Sequence, residues 1–260
     1  MSGAAPRPAP RVLALAMSAS MGCATASPML VSPRVLPPAR FELDVGTAYN
    51  TPVAETALSQ AQPPGAPRDA VLRGAVGFAA QPAGVLPFVQ GRTGLGASSE
   101  ASVALIGRFL RIGARREFYR QGNWTITGGM NARLAFLASG DATSVPNLSL
   151  VESRVYGGEL TLQGGYTRRD IYDAWISLRT GYLYGDGRAK DPTGGADPWA
   201  LMAHRMELGF TVGLRIAWGH IGVGVELETQ YVWTSGGDGN TTVHADFLAL
   251  VPACVFMYRP

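Results

Sequence analysis

Lysine is almost missing from this chain: Lys190 is the only one among 22 basic residues. The rest are arginine, which reads as genome composition rather than chemistry. Charge of either sign is scarce, at 16% of 260 residues with a formal net charge of +3, and no basic stripe with interleaved aromatics occurs. Nucleic acid is therefore not expected as a partner. Cysteine is limited to Cys23 and Cys254. If Cys23 is lipidated or removed, no intramolecular disulfide can form, and Cys254 in the last strand reads as a buried, small apolar residue without a catalytic role. Histidine is limited to His204, His220 and His244. No Gly-x-Ser-x-Gly elbow, His-Glu-x-x-His helix or Cys-x-x-Cys pair is present, so no enzyme motif, metal or cofactor is expected. No apolar run reaches the roughly 18 residues of a membrane-crossing helix. That last absence leaves a membrane barrel open, because alternating strands escape hydropathy averaging.

What is present is alternation. From Arg205 to Trp233, Met206, Leu208, Phe210, Val212, Leu214, Ile216 and Trp218 take every second position, with Arg205, Glu207, Thr211 and Arg215 between them. After Gly219-His220 the pattern returns as Ile221, Val223, Val225, Leu227, Thr229, Tyr231 and Trp233 against Gly222, Gly224, Glu226, Glu228 and Gln230. A period of two is a strand's, not a helix's, so each arm has one apolar face and one of charge and glycine. Each arm exceeds the ~9–11 residues a tilted strand needs to cross a bilayer. Aromatic residues end the apolar face on both sides, which suits lipid outside and a narrow polar lumen inside.

The same reading extends along the chain. Residues 1–26 have the form of an export signal, with Arg7 and Arg11 ahead of an apolar stretch. Two cleavage sites compete: Ala24-Thr25-Ala26, or a lipobox at Ser20-Met21-Gly22-Cys23 that would leave Cys23 lipidated. Residues 27–39 are a proline-rich, extended periplasmic leader. Strands are expected from Phe41, over Ala70–Ala79, Val85–Leu95, about Ala101 to Phe118, and Trp124–Phe136. Further strands follow around Tyr156–Tyr166, Tyr172–Tyr184, the two arms of the hairpin, and Val243–Tyr258. Loops are expected over Asn50–Arg68, Ser139–Glu152, Gly185–Trp199 and Ser235–Thr242, after odd-numbered strands, with turns after even-numbered ones. The expectation is an all-β, transmembrane, antiparallel up-and-down β-barrel over residues 40–260, with about ten strands and eight or twelve as the neighbouring even counts. Both termini then lie in the periplasm.

In this pattern the chain resembles the small outer-membrane β-barrel proteins of Gram-negative bacteria. Phe256 and Tyr258 have the spacing of that family's C-terminal assembly signal, although Arg259 and Pro260 follow. The resemblance implies outer-membrane lipid and lipopolysaccharide as surroundings, and protein partners in the periplasm or envelope.

An ion network is expected in the lumen, formed by Arg92, Arg133, Glu159, Arg179, Glu207, Arg215, Glu226 and Glu228. Glu42, Asp44, Arg73, Arg108, Asp173 and Arg205 are expected to join it. Buried charges must be paired, and a barrel this small fills its interior with side chains. The aromatic girdle is Trp124, Tyr166, Tyr184, Trp218, Tyr231 and Trp233. Arg115, Arg116, Arg168 and Arg169 are expected to face the periplasm.

These features favour a structural or interaction component of the cell envelope, such as the outer anchor of a trans-envelope machine for gliding or export. A narrow porin-like channel is one alternative. The other is a hydrolase: His244 and Asp246 at the outer rim are similar to a feature of the omptin proteases, though the loops look short for a cleft. An enzyme is not expected.

Overall fold

Lipid offers no water to satisfy an unpaired strand edge, so a strand protein in a bilayer must close on itself. The computed structural model, which describes residues 31–52, 84–107, 109–137, 149–190, 199–238 and 240–260, closes. Ten strands follow one another: β1 (Phe41–Pro52), β2 (Gly84–Gly96), β3 (Ser99–Ile106), β4 (Phe109–Gln121) and β5 (Trp124–Leu137). Then come β6 (Ser149–Arg168), β7 (Tyr172–Lys190), β8 (Trp199–Trp218), β9 (Ile221–Gly237) and β10 (Thr242–Tyr258). Each pairs antiparallel with the next, and β1 closes the ring against β10 from Leu43↔Tyr258 to Pro52↔Ala249. Among the described residues there is no helix.

The exterior is apolar. On β8 and β9 the outward residues Leu208, Phe210, Val212, Leu214, Val223, Val225 and Leu227 are exposed. In water this surface would be far larger than a soluble monomer tolerates; in lipid it is the surface required. Aromatic belts bound it. At the short-turn end Trp124 meets Tyr166 edge-on at 5.2 Å between ring centroids, and Trp218 and Tyr172 stand nearby along the rim. At the other end Tyr156 meets Tyr184 at 5.2 Å and Tyr231 meets Trp233 at 4.5 Å. The protein is a transmembrane β-barrel.

The strand count is the expected one, but the partition differs. Residues expected as one strand from Ala101 to Phe118 form two, β3 and β4, joined at Gly107-Arg108. Gly107 has a φ of +56°, and its N–H donates to the Pro87 carbonyl at 2.9 Å. A two-residue turn pairs Ile106 with Phe109, which shifts the inward face from even to odd positions. Arg111 and Arg115 therefore point into the lumen, so Arg115 does not stand on the outer periplasmic surface as expected. Arg116 is exposed on the outer face, and Arg168 and Arg169 are exposed at the β6–β7 turn. The expected strand Ala70–Ala79, with Arg73, lies outside the described residues, as do Arg108 and the export signal with Cys23.

Strands also run further than expected: β7 takes in Gly185–Lys190, β6 begins at Ser149, and β1 reaches Pro52. Short connections after β2, β4, β6 and β8 share one end of the barrel with Arg40 and the C-terminus. Cys254 faces outward and is exposed rather than buried, sitting among lipid-facing residues of β10.

Candidate functional site: the barrel interior and its short-turn mouth

Inward positions come from the same alternation, and they sort by height. Nearer the mid-barrel, Arg133 on β5 contacts Glu159 on β6 at 2.5 Å and Glu207 on β8 at 2.5 Å. Glu207 also receives Arg205 at 2.8 Å and the Gln230 amide at 2.7 Å. Arg179 pairs with Glu228 over Gly209 of the intervening β8 and stands 3.8 Å from Glu159. Arg111 stands 3.8 Å from Glu159 and donates to Gln90 at 2.6 Å. Asn131 donates to Glu159 at 2.7 Å. Trp175 donates its indole N–H to Glu226 at 3.3 Å, and its ring lies so close over Gly213 that a Cβ there would fall 2.2 Å from it.

Nearer the short turns, Arg92 pairs with Glu42, lies 2.9 Å from Glu100 and 3.5 Å from Asp44. Arg215 pairs with Asp173 and lies 3.3 Å from Glu42, which Arg259 also engages. Arg115 binds Glu100 at 2.7 Å and Gln163 at 2.8 Å.

The balance is close. Eight acids are buried in the described lumen: Glu42, Asp44, Glu100, Glu159, Asp173, Glu207, Glu226 and Glu228. Eight arginines face them: Arg92, Arg111, Arg115, Arg133, Arg179, Arg205, Arg215 and Arg259. Unlike charges held in reach of one another offset the desolvation each suffers, whereas any one left alone would not persist.

A second part of the interior is apolar. Ala48, Leu86, Phe88, Ala104, Ile106, Ala249, Val251, Ala253, Val255 and Met257 form one buried cluster on the inner faces of β10, β1, β2 and β3.

The mouth at the short-turn end is occupied by the chain itself. Within the proline-rich leader, Val31, Ser32, Val35 and Leu36 are buried. The Gln163 amide donates to the Val31 carbonyl at 2.8 Å, and Arg115 donates to the Arg34 carbonyl at 3.0 Å. The Leu36 N–H donates to Glu100 at 2.9 Å. Pro33 rests against Gly165, where a Cβ would fall 2.2 Å from it, and Ala39 and Arg40 bond to Gly94 at 3.1 and 3.0 Å. Proline has no N–H to satisfy, so such a segment can be buried against a few side-chain donors.

The eight residues expected to form the ion network all face inward and are buried. The six girdle residues all face outward, with Trp124 and Trp218 the most exposed, at 62% and 56%. Sequence reasoning missed Glu100, Arg111, Arg115, Gln163 and Trp175. For Trp175 the signal was available, since it shares the odd-numbered inward face of β7 with Asp173, Ser177 and Arg179.

The histidines fall elsewhere. His204 on β8 and His244 on β10 lie in one cross-strand row with Ser235 on β9, all on the outer face. His204 Nδ1 meets the Tyr182 hydroxyl at 2.6 Å, beside Tyr184. Asp246 is likewise outward and pairs in register with Trp233. These residues continue the aromatic belt.

No protein-family model and no curated protein matches the sequence. Among solved structures, the attachment invasion locus protein Ail of Yersinia pestis is similar at 7% identity and a TM-score of 0.33, over 85% of this chain and 100% of that one. The outer-membrane protease OmpT of Escherichia coli matches at 9% identity and a TM-score of 0.36, over 88% and 100%. The toluene transporter TbuX of Ralstonia pickettii matches at 8% identity and a TM-score of 0.36, over 86% and 90%. At these values the matches decide neither architecture nor role. Closed strand pairing, a lipid-facing exterior between two aromatic belts and a polar interior by themselves make the chain a transmembrane β-barrel of the outer-membrane type.

Proposed function

We propose that this barrel is a structural or interaction component of the cell envelope, with both termini and the short turns in the periplasm, holding partners at the outer membrane as the outer anchor of a trans-envelope assembly. The observation that carries the reading is the interior: eight buried acids set against eight arginines, and the chain's own leader seated in the mouth. A barrel that spends its lumen on self-pairing has its outer ends left for contacts. The short turns suit the periplasmic side, as in other barrels of this kind.

Affinity isolation from cross-linked cells tests the proposal, paired with planar-bilayer recordings of the purified barrel. The expected result is a reproducible set of envelope proteins and no steady conductance. Large stable channels with no retained partner would overturn it in favour of a porin.

A further inference from the structure

Behind the leader, at the short-turn mouth, lies a cavity of about 520 Å³ walled by both the leader and the barrel. Its lining includes Arg34 from the leader, Arg40 just before β1, Arg120 from β4, Arg215 from β8, and Arg259 with His220 at the C-terminal edge. Acids answer some of these. Asp170 takes Arg34 at 2.9 Å, Glu117 takes Arg120 at 2.7 Å, and Glu42 with Asp173 takes Arg215. The Arg40 side chain meets no acid among the described residues. Three further donors on the cavity wall are buried without an acceptor among the described residues: Arg34 Nε, Arg215 Nε and Thr167 Oγ1. A buried guanidinium N–H left without an acceptor is costly, and guanidinium forks match carboxylate oxygens in geometry and charge.

We infer that this cavity is a docking site for an acidic segment of a protein partner, whose carboxylates the Arg34, Arg40, Arg215 and Thr167 donors receive. Two observations favour a peptide over a lipid headgroup. Ser32, Thr167 and Arg215 form a buried, lumen-side inner wall, and the exposed turn residues Asp170, Gly219 and His220 edge the opening, so the cavity opens at the mouth; lipid stands outside the wall, beyond Trp218 and Tyr172, and only Phe41 of the lining faces it. The positive surface also runs on past the cavity lining through Arg168 and Arg169, exposed at the turn that carries Asp170, as an extended acidic segment would need. The site deepens the anchor reading by giving the periplasmic partner a charge, and its periplasmic side rests on that reading.

Fluorescein-labelled hexaglutamate, titrated by anisotropy against the full chain in neutral detergent, tests the pocket independently of orientation. Saturable binding is expected, weakened by salt and reduced about tenfold or more by Arg34→Gln with Arg40→Gln. Arg188→Gln, at the opposite end, is expected to leave it within about twofold. Arg34 also steadies the leader through Asp170 and the Gly122 carbonyl. Arg40→Gln alone, which breaks no side-chain contact, must therefore show a loss in the same direction. Binding that does not saturate, or that falls equally with Arg188→Gln, overturns the site. So does loss of peptide binding in phosphatidylglycerol nanodiscs but not in phosphatidylcholine ones, which would assign the arginines to lipid. Labelling of His220→Cys by an impermeant maleimide in intact cells would place the mouth outside and overturn the periplasmic partner, while the titration still reports the pocket.

Discussion

Strands β6–β10 run 17 to 20 residues each, whereas β1–β5 run 8 to 14. Within the described residues the barrel thus has a taller wall over β6–β10 and a lower one over β1–β5, lowest at the Gly107 turn between β3 and β4. The interiors differ too. The tall wall from β6 to β9 turns Glu159, Arg179, Glu207, Arg215, Glu226 and Glu228 inward, while the low wall adds Glu42, Asp44, Arg92, Glu100, Arg111, Arg115 and Arg133 and, toward Gly107, gives way to the apolar cluster around Phe88 and Ile106 that β10 completes. Two ways of filling a barrel therefore stand side by side. Charged filling fixes each group by partners on other strands; apolar filling needs only volume and shape. The charged side should be the more brittle to loss of one group, because removing a partner strands a buried charge.

The largest expected effect follows directly. Glu207→Ala removes an acceptor shared by Arg133, Arg205 and Gln230, and should cost about 3–5 kcal/mol. Ile106→Val, in the apolar cluster, should cost about 0.5–1.5 kcal/mol. Urea unfolding followed by the shift between folded and unfolded gel mobility measures both. Equal costs would mean that the two interiors are held in the same way.

The walls also differ in how far the sequence reveals them. On β8 and β9 the two faces differ sharply in polarity, so the period of two stands out and the inward set follows from it. On β3 the inward Ala104 and Ile106 are as apolar as the outward Val103 and Leu105. Without contrast, nothing marks the period. Gly107 then reads as a strand glycine rather than a turn, β3 and β4 merge, and the face assignments on β4 shift by one. That single slip hid Arg111 and Arg115 from the expected network. Burial of the leader was hidden for another reason: its partners, Glu100, Arg115 and Gln163, are far away in sequence and belong to the strands in question. A proline-rich stretch signals extension, not what it will lie against.

The outer faces can be compared in the same manner. Val212→Arg places a guanidinium at mid-strand on the tall wall and should cost about 2–4 kcal/mol. Leu105→Arg sits two residues from the Gly107 turn, where a long side chain can reach the rim, and should cost about 0–1 kcal/mol. Refolding into vesicles of graded urea concentration reads the difference. If both cost the same, the low wall lies as deep in the hydrocarbon as the tall one.

Smaller than the losses expected for Glu207→Ala and Val212→Arg is the effect of a single contact on the tall side. Trp175 lies at 3% exposure with its ring over Gly213 and its N–H on Glu226. Gly213→Ala puts a Cβ where the ring now is, at 2.2 Å, so the indole must move and its hydrogen bond must lengthen. Overpacking of this size costs about 1–3 kcal/mol. In a Trp199→Phe background the other three, Trp124, Trp218 and Trp233, face lipid, so brominated lipid quenches them and leaves Trp175 emission behind. That protected emission should shift in Gly213→Ala, while Gly164→Ala, whose added Cβ meets nothing within 4 Å, should leave it unchanged. An unaltered spectrum in Gly213→Ala would mean that the ring does not rest on Gly213, and that the charged interior has slack which its pairing distances do not show.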